Sequence, residues 1–200
     1  MTAGVVLGWA AAIALAFLVG SVNPATLIAR VRGTDLSVSG SGNPGATNAG
    51  RVLGRKWGVL VGVLDVLKGL VPTVIAAHWV GPHLAYAVGL AAVLGHIWSP
   101  FLHGRGGKGV ATTLGAILGV HPLIAVVVLV VFALGFAVTR WVAAGSILGA
   151  LAMLVIAVLV WTGHWPGDVW TGVWLTALAL VVLARHKNNV VGWWRQRRMP

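Results

Sequence analysis

Apolar runs of about membrane-spanning length fill most of this chain. Seven candidate spans lie at 4–24, 57–79, 83–102, 109–121, 123–139, 142–162 and 168–184. A helix needs roughly 20 apolar residues to cross the hydrocarbon core of a bilayer. Only 8% of the 200 residues are charged, whereas soluble domains carry about 25%. The sequence therefore predicts an all-α, polytopic integral membrane protein with a single membrane-embedded domain over residues 1–200.

Basic residues predict which side of the membrane each connection faces. Lys and Arg concentrate in the connections 30–56 and 105–108 and in the tail 185–198, whereas the connectors 80–83 and 162–168 carry none. Basic loops stay on the cytoplasmic side. We therefore expect seven transmembrane helices, with the N-terminus outside and the C-terminus cytoplasmic.

One run is too short to be a clear full span. The run 109–121 is separated from the next one by His121-Pro122, and proline removes a helix hydrogen-bond donor. Five full spans with two half-spans are therefore the alternative, with the same sidedness. The first run lacks a positive start and precedes further apolar sequence, so we expect a retained helix and not a signal peptide.

The net charge of +11 limits the expected partners. The positive-inside rule and attraction to anionic headgroups account for most of it, so membrane lipids are the expected surroundings. Nucleic acid is not expected, because the basic residues are divided among short loops. The chain has no cysteine, which excludes disulfides and thiol chemistry.

A polar loop between the first two spans is the strongest candidate binding segment. Its glycines allow a ligand to approach the backbone closely, and its N–H groups and small hydroxyls suit a phosphate. Arg51 adds a fork of donors matched to phosphate oxygens. The candidate ligands are Gly40, Ser41, Gly42, Asn43, Gly45, Thr47, Asn48 and Arg51. The alternative is a flexible connector, and the Gly-Lys-Ser/Thr ending of a nucleotide-binding loop is absent.

A second candidate anion site is the segment Arg105-Gly106-Gly107-Lys108. It directly precedes an apolar helix, and a helix N-terminus with a lysine attracts anions. The alternative is a positive-inside anchor, which explains the charge but not the glycines.

Two further polar groups lie at the ends of spans. Ser21 stands beside Pro24 and before Arg30; the simplest interpretation of its hydroxyl is a bond to a preceding helix carbonyl. In the tail, His186 and Asn189 share a helix face, where an imidazole and an amide can serve proton transfer and carbonyl polarisation. The alternative for the histidine is a solvated surface group.

Asp65 and Lys68 lie one helical turn apart inside the second span. Ionisable residues within a membrane are costly and are usually paired. We favour an ion pair that supports the helix bundle over a catalytic role.

These residues together resemble a known family. Gly20-Ser21, the loop SGSGNPGATN with Arg51, Asp65-Val-Leu-Lys68-Gly, Gly95-His96 with GGKGVAT, and Arg-His-x-x-Asn in the tail follow one another in this order. Over about 20–190 the chain resembles the bacterial acyl-phosphate:glycerol-3-phosphate acyltransferases, the PlsY family. The resemblance implies a seven-helix enzyme of the bacterial cytoplasmic (inner) membrane, with its active site on the cytoplasmic side.

The resemblance also implies the reaction and the residues. A fatty acyl group would pass from acyl phosphate to the 1-hydroxyl of glycerol 3-phosphate, giving lysophosphatidic acid and phosphate in phospholipid biosynthesis. The family's catalytic positions fall on Ser41, Arg51, Lys108, His186 and Asn189, with Ser21 as a further candidate. Its phosphate-binding positions fall on the loop from Gly40 to Gly45, and we add Thr47, Asn48, Arg105, Gly106, Gly107 and Arg30. The chain departs from the family where Arg105 replaces a lysine and where the tail glutamate is absent.

No cofactor and no metal are expected, because acyl phosphate is already activated and the three aspartates are scattered. The departing phosphate or His186 would accept the proton of the attacking hydroxyl. An anion or organophosphate transporter is the alternative function. Another lipid enzyme is disfavoured, because the His-x4-Asp signature and the paired aspartates of CDP-alcohol transferases are absent.

Overall fold

Helices make up the regular structure of the described part of the chain. The computed structural model describes residues 2–198, with side chains as far as residue 195. The helices are α1 (Ala3–Ser21), α2 (Pro24–Val31), α3 (Ala46–Leu53), α4 (Arg55–Trp79), α5 (Pro82–Ile97), α6 (Val110–Val120), α7 (Pro122–Thr139), α8 (Val142–Trp161) and α9 (Val169–Arg198), with a 3-10 turn at Pro100–Leu102. No strand occurs among these residues, and the predicted all-α class is confirmed.

The chain divides into two compact units, Met1–Pro122 and Leu123–Pro200. The first unit contains α1 to α6, and the second contains α8, α9 and all but the first residue of α7. A single domain over 1–200 stays a prediction, and its terminal residues Met1, Met199 and Pro200 lie outside the described residues.

Six helical segments of the described chain are long and apolar enough to cross a membrane: Ala3–Val31, Arg55–Trp79, Pro82–Leu102, Pro122–Thr139, Val142–Trp161 and Val169–Arg195. Helix α6 has 11 residues and rises only about 16 Å, which is about half of a 30 Å hydrocarbon core. The protein is a multi-pass membrane protein. Its seven spans and the sides of its termini stay predictions.

Large apolar side chains point outward from these helices. Leu7 is 70% exposed, Leu134 61% and Val155 59%. A soluble protein avoids broad apolar surfaces of this kind, whereas lipid tails solvate them without cost. The outer surface is therefore suited to hydrocarbon.

The first span is broken near its C-terminal end. Helix α1 ends at Ser21, and α2 begins at Pro24, where the missing N–H of proline costs no helical bond. Asn23 caps α2, because its Oδ1 accepts the N–H of Thr26 at 2.8 Å. The predicted span 4–24 therefore contains the end of α1 and stops at Pro24, where the second, short helix begins.

Small residues let α1 and α5 pack with their backbones close together. A Cβ on Gly20 would overlap the Ala92 carbonyl, and a Cβ on Gly95 would overlap the Phe17 carbonyl. Close backbone approach at small residues is the usual basis of helix association in membranes. These two contacts fix the ends of α1 and α5 that carry the polar segments.

We expect Gly20→Ala to lower the melting temperature in detergent, with a loss of about 2 kcal/mol from overpacking against backbone that cannot move aside. The matched control is Gly8→Ala in the same helix, where a Cβ meets nothing within 4 Å. The two variants differ only in position, so equal melting temperatures would contradict the close contact.

Candidate active site

The loop between α2 and α3 is folded around one buried side chain, Asn48. Its Oδ1 accepts the N–H of Ser41 at 2.8 Å, and its Nδ2 donates to the carbonyl of Ser39 at 3.0 Å. Asn48 is only 1% exposed. The loop therefore has a defined conformation, unlike a flexible connector. Asn48 was predicted to contact phosphate, and in the structure its amide is bonded to the loop itself.

Two glycines allow this conformation. Gly40 has φ +62° and Gly42 has φ +71°, a region that side-chain-bearing residues rarely adopt. A Cβ on Gly40 would also overlap Oδ1 of Asn48, and one on Gly42 would lie 3.1 Å from the Ser37 carbonyl. Both glycines are explained by the path of the loop.

The loop exposes a set of polar groups at the start of α3. Ser41, Thr47 and Arg51 are exposed, while Asn43 and Gly45 are half-buried. Thr47 and Arg51 stand four residues apart on α3 and so share a face. The N-terminus of α3 follows Gly45 directly, where the helix dipole favours an anion. Hydroxyl, guanidinium and backbone donors are therefore available to a phosphate.

Asp35 stabilises the entry to the loop. Its Oδ1 accepts the N–H of Ser37 at 2.8 Å. This backbone bond, assisted by the Ser37 side chain, lowers the pKa of Asp35 below its usual value. The carboxylate is therefore ionised at neutral pH and keeps its turn.

The second basic segment is attached to the end of α5. The N–H of Gly106 donates to the Ile97 carbonyl at 3.0 Å, and that of Gly107 to the His96 carbonyl at 3.1 Å. A Cβ on either glycine would overlap α5, at a main-chain carbonyl for Gly106 and at the His96 ring for Gly107. These two predicted phosphate ligands thus use their N–H groups within the fold, and close packing explains why both are glycines.

The cations of this segment differ in their surroundings. Arg105 is exposed and Lys108 is half-buried. Gly109 then turns the chain with φ +82° and is the N-cap of α6, which begins at Val110. Lys108 therefore stands two residues before the first residue of a helix, close to the helix start that the sequence predicted. Arg30 lies exposed on the last turn of α2.

The two candidate serines have opposite surroundings. Ser21 is fully buried, and its hydroxyl donates to the Phe17 carbonyl at 2.7 Å. This is the helix-bonded interpretation that the sequence favoured. Ser41 is exposed on the glycine loop, so Ser41 is the serine that a substrate can reach.

Asp65 and Lys68 form the predicted ion pair, with 3.0 Å between Oδ1 and Nζ. Nζ of Lys68 also donates to the Val22 carbonyl at 2.8 Å. That carbonyl belongs to the last turn of a broken helix, where backbone acceptors lack helical partners. The pair therefore supports the break between α1 and α2.

His186 and Asn189 lie on α9 in the second unit. The predicted continuation of the last helix through them is confirmed, since α9 extends to Arg198. His186 is 2% exposed, so the solvated-surface interpretation is wrong. Its Nδ1 lies 2.8 Å from the Val182 carbonyl, and because a carbonyl only accepts, Nδ1 carries the proton.

Sequence reasoning missed several polar groups that hold the segments of the first unit. Asn23 Nδ2 donates to the Pro44 carbonyl at 2.9 Å, and Ser99 Oγ donates to the Ser21 carbonyl at 2.7 Å. Both side chains are buried. Their position next to prolines at span ends was the available signal.

The fold and these segments define a class: a multi-pass membrane protein with two basic, glycine-containing segments suited to anionic ligands. The family described as Glycerol-3-phosphate acyltransferase matches residues 10–196. The chain belongs to this family.

Curated relatives cover nearly the whole chain. The glycerol-3-phosphate acyltransferase of Geobacter sulfurreducens is 42% identical over 88% of this chain and 89% of its own length. That of Trichlorobacter lovleyi is also 42% identical, over 95% and 93%.

Solved structures share the fold. A crystal structure of PlsY, an integral membrane glycerol 3-phosphate acyltransferase, in its glycerol 3-phosphate form has a TM-score of 0.88 and 34% identity. It covers 96% of this chain and 94% of that one. The lysophosphatidic acid form has a TM-score of 0.85 and 35% identity.

Proposed function

We propose that this protein transfers a fatty acyl group from acyl phosphate to the 1-hydroxyl of glycerol 3-phosphate. The products are lysophosphatidic acid (1-acyl-glycerol 3-phosphate) and inorganic phosphate. The observation that carries the proposal is the loop ordered by Asn48, which exposes Ser41, Thr47 and Arg51 at the start of α3. Family membership supports the same assignment.

Both substrates carry a phosphate, so the reaction needs two anion sites. The glycine loop with Arg51 suits one of them, through hydroxyl, guanidinium and helix N-terminal donors. The segment with Arg105 and Lys108 suits the other. Holding both substrates in place removes much of the barrier, because a bimolecular reaction becomes effectively unimolecular.

The chemical step makes one bond and breaks one. The 1-hydroxyl oxygen of glycerol 3-phosphate attacks the acyl carbonyl carbon, and negative charge develops on the carbonyl oxygen. The bond from that carbon to the phosphate oxygen then breaks, and phosphate leaves with the electron pair. Cationic donors such as Arg51 and Lys108 stabilise the developing charge more strongly than the ground state. In this mechanism Ser41 binds and orients substrate.

The proton of the attacking hydroxyl has two candidate acceptors. The departing phosphate accepts it without help from a protein base, because its oxygens become more basic as the bond breaks. His186 is the rival acceptor of this proton. Asn189, on the same helix face, would orient the substrate or polarise the acyl carbonyl. The mechanism needs no strong protein base in the first case.

We place the protein in the bacterial cytoplasmic membrane with its active site on the cytoplasmic side. The basic connections 30–56 and 105–108 and the basic tail support this orientation by the positive-inside rule. Glycerol 3-phosphate is water-soluble, whereas acyl phosphate and lysophosphatidic acid have chains that partition into lipid. A site at the membrane surface serves both kinds of substrate.

The decisive assay uses purified protein, palmitoyl phosphate and glycerol 3-phosphate, with lysophosphatidic acid and phosphate as the measured products. Palmitoyl-CoA in place of palmitoyl phosphate is the control for the donor, and we expect no product from it. The transporter alternative predicts uptake of glycerol 3-phosphate into proteoliposomes without any acyl donor. Product formation only from acyl-CoA would overturn the proposed donor.

We expect Lys108→Ala to lower kcat/KM for acyl transfer by about 100-fold, because one charge-assisted contact to a phosphate is lost. Lys56→Ala is the matched control, since Lys56 is an exposed lysine of α4 outside both segments, and we expect it to change the rate less than about twofold. If the folded Lys108→Ala variant has wild-type kinetics, Lys108 is not part of the site.

A further inference from the structure

The first unit buries polar groups that the proposed mechanism does not use. Asp65 is 2% exposed, His96 4% and Lys68 8%. Burying charged and polar groups is unfavourable unless they are paired, and the chain has only three acidic residues. The burial of one of these three, Asp65, inside a helix bundle therefore indicates a specific structural or functional role.

The ion pair of Asp65 and Lys68 contacts two further elements. Oδ1 of Asp65 on α4 lies 3.0 Å from Nζ of Lys68 and 3.4 Å from Nδ1 of His96 on α5. Nζ of Lys68 also donates to the Val22 carbonyl at the break after α1. Asp65 thus contacts the His96 ring directly and reaches the helix break through Lys68.

The His96 ring supports the segment that carries Lys108. Gly107 lies directly against its Nε2, so closely that a Cβ at Gly107 would overlap the ring. The same two residues share a main-chain bond of 3.1 Å. Lys108 follows Gly107 immediately, so the position of the His96 ring determines the position of the Lys108 backbone.

The helix break leads in turn to the glycine loop. Asn23, next to Val22, donates to the Pro44 carbonyl at 2.9 Å. Contacts therefore run without a gap from Gly107 through His96, Asp65 and Lys68 to Val22, and one residue further to the loop. The two proposed phosphate segments are connected through the interior of the unit.

We propose that Asp65 and His96 are positioning residues for acyl transfer: Asp65 holds the His96 ring, and the ring sets the place of Gly107 and thereby of Lys108. Neither residue contacts substrate. The inference rests on the proposed function, because it assigns these residues a role in the same site. It differs from simple bundle support, since a support residue would act on stability alone.

A double-mutant cycle between His96→Ala and Lys108→Ala tests the proposal. We expect His96→Ala alone to raise KM by about tenfold for one of the two substrates, glycerol 3-phosphate or acyl phosphate. The change in kcat should be smaller. In the Lys108→Ala background the same change should add less than about threefold, because residues that act through one another are not additive. Independent effects that multiply in the double variant would overturn the proposal.

Tyr86→Phe is the matched control in the same helix. Tyr86 lies near the other end of α5, where its hydroxyl is 2.9 Å from Nε2 of His121. Its loss should lower the melting temperature while KM changes less than about twofold. A KM change in Tyr86→Phe equal to that of His96→Ala would mean that any loss of packing in α5 disturbs the site.

A conservative series covers the case in which His96→Ala does not fold. His96→Gln keeps an amide near the place of Nε2 and should recover part of the KM, whereas Asp65→Asn should raise KM in the same direction as His96→Ala. Recovery of the melting temperature without recovery of KM in His96→Gln would contradict positioning.

A binding measurement separates this inference from the function. Calorimetric titration of glycerol 3-phosphate and of inorganic phosphate into the same four proteins of the cycle needs no catalysis. Absence of acyl transfer in the wild-type protein would overturn the proposed function, while non-additive loss of phosphate affinity would still support the positioning role. Additive losses of affinity would reject that role even if the enzyme is active.

Discussion

Replacing Arg51 with alanine should lower kcat/KM for glycerol 3-phosphate by about 100-fold, which corresponds to about 2.7 kcal/mol of lost transition-state stabilisation. Arg51 is exposed on α3, one turn from Thr47 and close in sequence to the ordered loop. A guanidinium contributes two parallel charge-assisted bonds to a phosphate, and such bonds are about twice as strong as neutral ones. Its removal costs binding and charge stabilisation together.

Two variants sharpen this result. Arg51→Lys keeps the charge but loses the planar fork, so we expect about a tenfold loss, between wild type and alanine. Arg55→Ala removes an exposed arginine from the first turn of α4 and should change kcat/KM less than about twofold. The melting temperature should stay unchanged in all three proteins, because an exposed side chain contributes little to stability. A similar loss of kcat/KM in Arg55→Ala would mean that Arg51 acts only through general surface charge and not through a specific contact.

The long apolar helices were predictable from sequence because the length of an apolar run indicates a helix that can span a membrane. Each predicted run contains a helix, and the separation at His121-Pro122 appears as the end of α6 at Val120 and the start of α7 at Pro122. The short helices α2 and α3 were not predicted. Eight residues are too few for a periodic apolar pattern, and these helices are held by Asn23 and by packing against neighbours that sequence does not reveal.

The glycines illustrate what sequence leaves open at the site. A glycine accepts a ligand, a positive φ or a neighbouring helix equally well, and the pattern is the same in each case. Gly40 and Gly42 have positive φ, while Gly107 makes room for the His96 ring. Only the fold distinguishes these purposes, because His96 is eleven residues away along the chain.

Burial separates residues that look alike in sequence. Ser21 and Ser41 both follow a glycine and both precede an asparagine by two residues. The first is enclosed between helices and the second is exposed. A residue that acts on substrate must be accessible, so the fold favours Ser41 over Ser21. Burial also distinguishes Asn48, which was predicted to bind phosphate and whose amide instead holds the loop.

Replacing Asn48 with alanine should disorganise the loop and raise KM for glycerol 3-phosphate by about tenfold or more. The change removes the acceptor of the Ser41 N–H and one of the two donors to the Ser39 carbonyl, which keeps its bond from the N–H of Gly42. Each lost hydrogen bond costs about 0.5–1.5 kcal/mol. Part of that cost is lost stability, so the melting temperature should fall as well. Ser41 then no longer has a fixed place relative to Arg51.

The control must lose a buried hydrogen bond without touching the loop. Ser146→Ala does so, since Ser146 Oγ donates to the Val142 carbonyl within α8, and we expect a small change in melting temperature with unchanged KM. Asn48→Asp keeps an acceptor for the Ser41 N–H but removes the donor to Ser39 and adds a negative charge, so its KM should rise at least as far as that of alanine. An unchanged KM in Asn48→Ala would mean that the loop keeps its shape without the amide, and the geometric basis for a phosphate site at α3 would be lost.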